Sequence, residues 1–315
     1  MDADRIAEDF GLGDAPRLSD DPVARGKQGA VWRLETGDGR FAVKVPFDRV
    51  AEADVAFATE FQEAAYDAGV PTPRVCRTTE GAVFADVGDA RVRVYEWVDL
   101  LPPNPMLDPL LVGAAVAAVH QVPDPDPDPG PVGAWYAEPV GALRWDDLVR
   151  ALRAERAPFA AELAALRDEL VALETWVAPP ERVRTCHRDI WADNLLPTAV
   201  GGVCVVDWEN SGPADPAYEL GCLLFEYARG DPGRARVLVD AYVSAGGPAK
   251  VSGRGDFSML IAQLGHITAH AAEAWLAAAP GSPDRAEASA WVGELVDDPH
   301  TRRVLDDLLA AVDDR

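Results

Sequence analysis

Residues 186–196 read CHRDIWADNLL, and residues 203–210 read VCVVDWEN. The first stretch places one of only five histidines, His187, beside two aspartates and an asparagine. The second is an apolar run that ends on Asp207. Two readings fit His187, Asp189, Asn194 and Asp207 so close together. One is a polar loop between two strands, with the aspartates and the asparagine as turn residues and caps. The other is a site that handles a divalent cation and phosphate. An aspartate and an asparagine five residues apart on a loop can face a common centre. There the carboxylate orients an attacking hydroxyl and accepts its proton, and the neutral amide oxygen helps hold magnesium. Asp207, at a strand end, adds the anionic oxygen that magnesium prefers. Singly, each residue fits the turn reading; together, in this order and spacing, they favour phosphoryl transfer.

A second region tests that reading independently. Phosphoryl transfer of this kind needs a strand lysine aimed at the α- and β-phosphates and steadied by a helical glutamate. The chain has only three lysines, Lys27, Lys44 and Lys250, and Lys44 lies inside the apolar run FAVKVP. A charge flanked by valines is costly unless paired or liganded. The helix expected next carries Glu60 and Glu63. Glu60 is assigned as the partner of Lys44, and Glu63 as solvated. Upstream, RGKQGAVWR places Gly26 and Gly29 in a turn between strands, where backbone amides could approach phosphate.

With these segments in place the sequence resembles the aminoglycoside phosphotransferase family of kinase-like enzymes. CHRDIWADNLL, VVDWENSGPADPAYEL, FAVKVP and AGVPTPRV carry the resemblance, in order, over roughly residues 21–275. It implies Asp189 as the catalytic aspartate, Asn194 and Asp207 as magnesium ligands, and Lys44 with Glu60 as the phosphate-positioning pair. It also implies that the backbone of YEWVDL, at Glu96 and Val98, meets the adenine, with ATP, or alternatively GTP, as donor. The implied fold is α+β and bilobal. An N-lobe of antiparallel sheet and one main helix spans residues 1–97, and a mostly helical C-lobe with the catalytic loop and the acceptor-binding helices spans 98–315. One departure is Arg188, which stands where the family often has glycine; another is the short glycine loop.

Composition narrows the function classes. The net charge is −24, which argues against nucleic acid or an anionic membrane as partner. Two sources fit this charge, a solvated acidic coat and a cleft for a cationic acceptor. No run of 18 uncharged apolar residues suggests a membrane span, and the acidic N-terminus lacks the apolar segment of a signal peptide. Cys76, Cys186, Cys204 and Cys222 lack metal-ligand spacing and read as reduced thiols, so the expected location is the cytoplasm.

Along the chain, a short helix precedes a hairpin closed by GDG. A helix at 50–68 ends at Gly69, Pro71 and Pro73, and two further strands cover AVFADV and RVRVYEWVDL. A buried helix follows LPPNP, and PDPDPDPGP at 123–131 reads as an extended connector. Helices are expected near 144–157 and 158–177, and the chain beyond Asp215 reads as helical, with Asp215–Pro216 as a helix start. On a late helix, His266 and His270 share a face with Glu273 and Trp275 nearby, as acceptor-pocket or ordinary helix residues. The expected activity is an ATP-dependent O-phosphotransferase acting on a small hydroxylated acceptor, with an aminoglycoside or other antibiotic as one option and a metabolic sugar, amino alcohol or amino acid as the other. Monomer and dimer are both compatible with the sequence. An inert nucleotide-binding protein on the same fold is the rival from another class, and the intact set Lys44, Asp189, Asn194 and Asp207 argues against it. A protein kinase is disfavoured, because DWEN passes directly to SGPADPAYEL with no room for a long activation segment.

Overall fold

The computed structural model describes residues 1–26, 29–47, 52–124 and 130–313. Lys27, part of the Gly26–Gly29 turn, the first residues of the helix expected from 50, and residues 125–129 of the Asp-Pro connector lie outside the described residues. In chain order the elements are α1 (Ala3–Phe10), β1 (Arg17–Leu18), β2 (Ala24–Arg25), β3 (Gly29–Thr36), β4 (Gly39–Pro46), α2 (Glu52–Asp67), β5 (Val75–Cys76), β6 (Ala85–Val87) and β7 (Ala90–Glu96). Then come α3 (Pro109–Gln121), α4 (Ala134–Ala137), α5 (Ala142–Ala154), α6 (Ala160–Glu174), β8 (Arg184–Cys186), β9 (Leu195–Pro197), β10 (Val203–Val205) and β11 (Gly212–Ala214). The helices α7 (Pro216–Ala228), α8 (Pro232–Ser244), α9 (Ser258–Ala277), α10 (Pro283–Asp297) and α11 (Arg302–Asp313) complete the chain. The class is α+β, as the sequence implies.

The chain divides into two compact units. The first comprises Met1–Asn104, Ala118–Pro127 and His187–Gly212; the second comprises Pro105–Ala117, Asp128–Cys186 and Pro213–Arg315. The loop that carries Asp189 therefore groups with the sheet, whereas a single cut at 97/98 puts it with the later helices.

In the first unit β1–β7 form a seven-stranded sheet whose central path runs β1-β3-β4-β7-β5, with antiparallel pairs throughout. The register pairs Val31 with Lys44 and Lys44 with Arg93. Side chains alternate across a strand, so the sheet has two distinct faces. One carries Leu34, Phe41, Val43, Val92 and Val94, buried against Ile6 and Phe10 of α1. Each such side chain contributes about 1.5–3 kcal/mol when fully buried. The other face carries Val31, Ala42, Lys44, Arg93 and Tyr95, and α2 packs on it through Thr59. The helix α2 ends in a left-handed Gly69, followed by Pro71 and Pro73. Strands β9 and β10 pair antiparallel, with Leu195 opposite Val205.

The second unit is helical. Its core joins α5, α6, α9 and α10 through Trp145, Leu163, Ala269, Trp275 and Val292. Three of its helices begin alike, with a capping side chain followed by proline: Asp215–Pro216, Asp231–Pro232 and Ser282–Pro283. The Asp215 side chain accepts the Ala217 N–H at 3.0 Å, so the expected helix start is formed. Its other oxygen accepts the N–H groups of Glu181 and Arg182, each at 2.9 Å, bracing the approach to β8. No helix among the described residues is long and apolar enough to cross a membrane.

Candidate active site

Two neighbouring loops in the first unit assemble the site. The first runs from His187 to Asn194. Trp191 N–H donates to the Asp189 carbonyl, and Asn194 N–H to the Trp191 carbonyl, which tightens the loop into successive turns. The second is the 3-10 turn Trp208–Asn210 that follows β10. A hydrogen bond from Val206 N–H to the Asn194 carbonyl at 2.9 Å links them, and so does the fully buried His187, whose Nε2–H donates to the Val206 carbonyl at 3.0 Å.

Trp208 sets the direction of its neighbours. Its ring is 2% exposed and packs edge-on against His187 and Phe61, while Nε1–H donates to Thr72 Oγ1 at 2.9 Å. With Trp208 plugged into the unit, the carboxylates of Asp207 and Glu209 on either side of it reach Lys44 instead. Asp207 adopts a left-handed backbone (φ 62°), as does Arg188 (φ 65°). That conformation costs about 1–2 kcal/mol for a residue with a side chain, and non-glycine strain of this sort gathers at functional sites.

The charged groups meet on the sheet face. Lys44 Nζ donates to Asp207 Oδ1 and to Glu209 Oε1, both at 2.6 Å. Arg93, 4% exposed, donates from Nη1 to the same Glu209 oxygen at 2.8 Å and from Nη2 to Thr59 Oγ1 at 3.0 Å. Burial pulls the Lys44 ammonium towards neutrality, but Glu209 and Asp207 outweigh it and hold it charged. Asp207 is pushed up to about 7, first by burial and then by its hydrogen bond to, and repulsion from, Glu209. Glu209 feels the same burial, yet Lys44, Asp207 and Arg93 hold it well below the usual carboxylate range. The two carboxylates thus differ: Glu209 stays ionised between two cations, and Asp207 holds its proton more tightly than an ordinary carboxylate, a hold that added positive charge would loosen.

The expected Lys44–Glu60 pair is not formed. Five residues at about 100° each turn Glu60 roughly 140° away from Val55 on α2. Val55, Ala58, Thr59 and Gln62 are buried, and Glu60 is exposed. Thr59 is the α2 residue that meets the sheet's charged face, and Glu209 takes the anionic place beside Lys44. Glu63 is only part-exposed and is paired: it holds Arg77 through two bonds of 2.6 and 2.7 Å.

Asp189 and Asn194 do come together. Asn194 Nδ2 donates to the Asp189 carbonyl at 2.9 Å and to its Oδ2 at 3.0 Å, and Asn210 Nδ2 donates to the same Oδ2 at 2.9 Å. Asn194 is buried, and its Oδ1 accepts no hydrogen bond among the described residues. The Asn194 amide oxygen and the Asp207 carboxylate lie on loops tied by the Val206–Asn194 bond, and both are oxygen donors of the kind that could hold magnesium.

The nucleotide-side candidates are of unequal kind. Gly26 N–H donates to the Gly29 carbonyl at 2.9 Å, closing the turn between β2 and β3. A Cβ on Gly29 would lie 2.7 Å from the Val45 carbonyl, so close approach of β4 already accounts for that glycine; a Cβ on Gly26 would meet the Gly29 carbonyl at an ordinary 4.0 Å. The strand β7 ends at Glu96, whose side chain pairs with Arg74. Two residues on, the Val98 N–H makes no hydrogen bond among the described residues.

In the second unit, His266 stacks on Trp135 and hydrogen-bonds the Glu138 carbonyl, His270 lies edge-on to Trp291, Glu273 pairs with Arg144, and the Arg285 guanidinium covers the Trp275 ring. These contacts account for the four residues as helix packing and surface. Sequence reading missed Glu209, Arg93 and Asn210. The place of Glu209 and Asn210 in DWEN directly after Asp207, and an arginine inside the apolar alternation RVRVYE, were the available signals.

A family model described as the phosphotransferase enzyme family matches residues 21–254. The chain belongs to that family. This phosphotransferase is similar in fold to an aminoglycoside phosphotransferase from Alicyclobacillus acidocaldarius, at 20% identity and a TM-score of 0.66 over 96% of this chain and 95% of that one. A spectinomycin phosphotransferase solved with ADP and spectinomycin matches at 12% identity and a TM-score of 0.68, over 98% and 97% of the two chains. A microcompartment-associated aminopropanol kinase matches at 17% identity and 0.54, over 100% and 99%. Comparison with curated protein sequences gave no match.

Proposed function

We propose that this phosphotransferase moves the γ-phosphoryl group of ATP to the hydroxyl of a small, cationic, hydroxylated amine. The observation that carries the reading is the Asp189 carboxylate, held through Oδ2 by two amides on the loop pair whose other end presents Asp207 to Lys44. Such a carboxylate can orient an acceptor hydroxyl and take its proton as the oxygen attacks phosphorus. On this reading Lys44 would meet the α- and β-phosphates, and Gly26 and the backbone at Glu96 and Val98 are the candidate contacts for phosphate and adenine. Magnesium, held by Asn194 and Asp207, would supply charge neutralisation at the phosphates. Catalysis on this reading is mainly positioning and electrostatic stabilisation.

The acceptor class draws on two supports. Structural relatives include proteins named for spectinomycin and for aminopropanol, both hydroxylated amines, and the chain carries a net charge of −24. The same supports cover an antibiotic and a metabolic amino alcohol. The test is ATP turnover against a panel of spectinomycin, other aminoglycosides, ethanolamine, aminopropanol and neutral sugars. The expected result is acceptor-dependent ADP release confined to the amines, with Asp189→Ala losing at least about 100-fold in turnover and keeping nucleotide affinity within a few-fold. Equal turnover in wild type and Asp189→Ala would remove the assignment; a preference for neutral sugars would remove the acceptor class alone.

A further inference from the structure

Arg188 has a side chain to which the transfer reaction as described gives no task, and it bonds to Asn210, one of the two residues whose amides hold Asp189. Arg188 stands in the left-handed region, at φ 65°, where glycine would be unstrained. Its side chain reaches across to the second loop. Nε–H donates to the Asn210 carbonyl at 2.6 Å, and an Nη2–H donates to the Ser211 carbonyl at 3.3 Å. The guanidinium fills the space beside Gly212: a Cβ at that position would lie 2.6 Å from Nη2 and 2.7 Å from Cζ. Gly212 carries no positive φ, so the arginine, and not the backbone, accounts for the absence of a side chain there. Asn210, held by its carbonyl, returns its own amide to Asp189 Oδ2 at 2.9 Å. The circuit starts and ends on adjacent residues, 188 and 189.

We propose that Arg188, seated against Gly212, and Asn210 form a positioning clamp that fixes the rotation of the Asp189 carboxylate. The proposal rests on the catalytic reading of Asp189. Within the first loop, the Asn194 amide donates to Oδ2. The second amide, from Asn210, comes from a different segment of chain, and two donors from separate segments restrain the carboxylate about its χ2 axis as one cannot. Charge-assisted hydrogen bonds of this sort are shorter and more directional than neutral ones, and the arginine fork is suited to holding consecutive carbonyls. None of the clamp residues touches the reacting atoms; they act through Asp189.

The clamp makes a demanding test possible, because Gly212→Ala should matter only when Arg188 is present. The variants are Gly212→Ala, Arg188→Gly, Asn210→Ala, the Gly212→Ala/Arg188→Gly and Arg188→Gly/Asn210→Ala doubles, and Asp189→Ala as control. Turnover is followed with whichever of spectinomycin, ethanolamine and aminopropanol is accepted, or as ATP hydrolysis to water when none is. Each single clamp variant is expected to lower kcat about 10-fold, with the KM for ATP and the melting temperature near wild type, since a misplaced group costs rate and not nucleotide binding. Gly212→Ala should add nothing in the Arg188→Gly background, and Arg188→Gly should add nothing to Asn210→Ala. Independent losses that multiply, or kcat within two-fold of wild type in all three singles while Asp189→Ala is inactive, would overturn the clamp. Should Gly212→Ala fail to fold, the Arg188→Gly and Asn210→Ala pair decides the matter alone. An active Asp189→Ala would instead sink the catalytic reading beneath it.

Discussion

Replacing Asp207 by asparagine should make the protein more stable in alkaline buffer while weakening its hold on Mg-ATP. The Asp207 carboxyl is pushed up to about 7 by burial and by Glu209, against an ordinary value of 3.8. A carboxyl with a raised value binds its proton more tightly folded than unfolded. Its contribution therefore favours the fold below about pH 4 and is lost progressively as pH rises to about 7. Three units correspond to about 4 kcal/mol as a ceiling. The side chain is 37% exposed, and solvent screening reduces the effect to about 1–2 kcal/mol. Asparagine keeps the shape and removes the charge, and Lys44 retains Glu209 as partner. Melting curves in metal-free buffer at pH 5 and pH 8 would show it. The variant should gain about 2–6 °C over wild type at pH 8 and much less at pH 5. Calorimetric titration with Mg-ATP at pH 8 should show at least about 10-fold weaker binding. A variant less stable than wild type at pH 8, or a gain that ignores pH, would refute the electrostatic account. Unchanged Mg-ATP affinity would place the cation elsewhere.

Four further outcomes are expected. Glu60→Ala should leave melting temperature and ATP affinity near wild type, because Glu60 is exposed and Lys44 is held elsewhere; Glu209→Ala should cost about 2–4 kcal/mol in denaturant titration, because it strands the buried Arg93. Asp215→Ala removes one cap bond and two bonds to the 181–182 backbone, and should lose about 2–3 kcal/mol in the same assay with little change in the KM for ATP. If the acidic charge serves a cationic acceptor, the acceptor KM should rise between 0.1 M and 1 M salt as the Debye length falls from about 10 Å to about 3 Å; a flat KM with a climbing melting temperature would assign the charge to a solvated coat.

Local chemistry made much of the fold legible. The alternation in GAVWRLET and RFAVKVP, and the turn between them, correspond to β3 and β4, and the Gly69, Pro71 and Pro73 breakers mark the end of α2. Asp215–Pro216 carries its own start signal. The helix α10 falls within the stretch beyond Asp215 that reads as helical, and Ser282–Pro283 repeats the same start signal. β5 is two residues long and is held by its neighbour β7, so no local pattern could announce it.

What the sequence determined by itself was which chemical groups are present and which of them lie on one short loop: Asp189 and Asn194 are five residues apart, and a turn suffices to join them. What only the tertiary structure decided was every partnership across a long stretch of chain. Lys44 and Glu209 are 165 residues apart, and Arg93 and Glu209 are 116 apart. A lysine in an apolar strand demands an anion, and the sequence says so; it offers several anions at that demand. The helical phase that turns Glu60 outwards, the strand register that sets Arg93 beside Lys44, and the burial of Trp208 that sends Glu209 to both cations select among them. Each of these is a packing outcome of the folded unit, and none has a local signature, because the energy that fixes it comes from contacts between segments that meet only once the chain has folded.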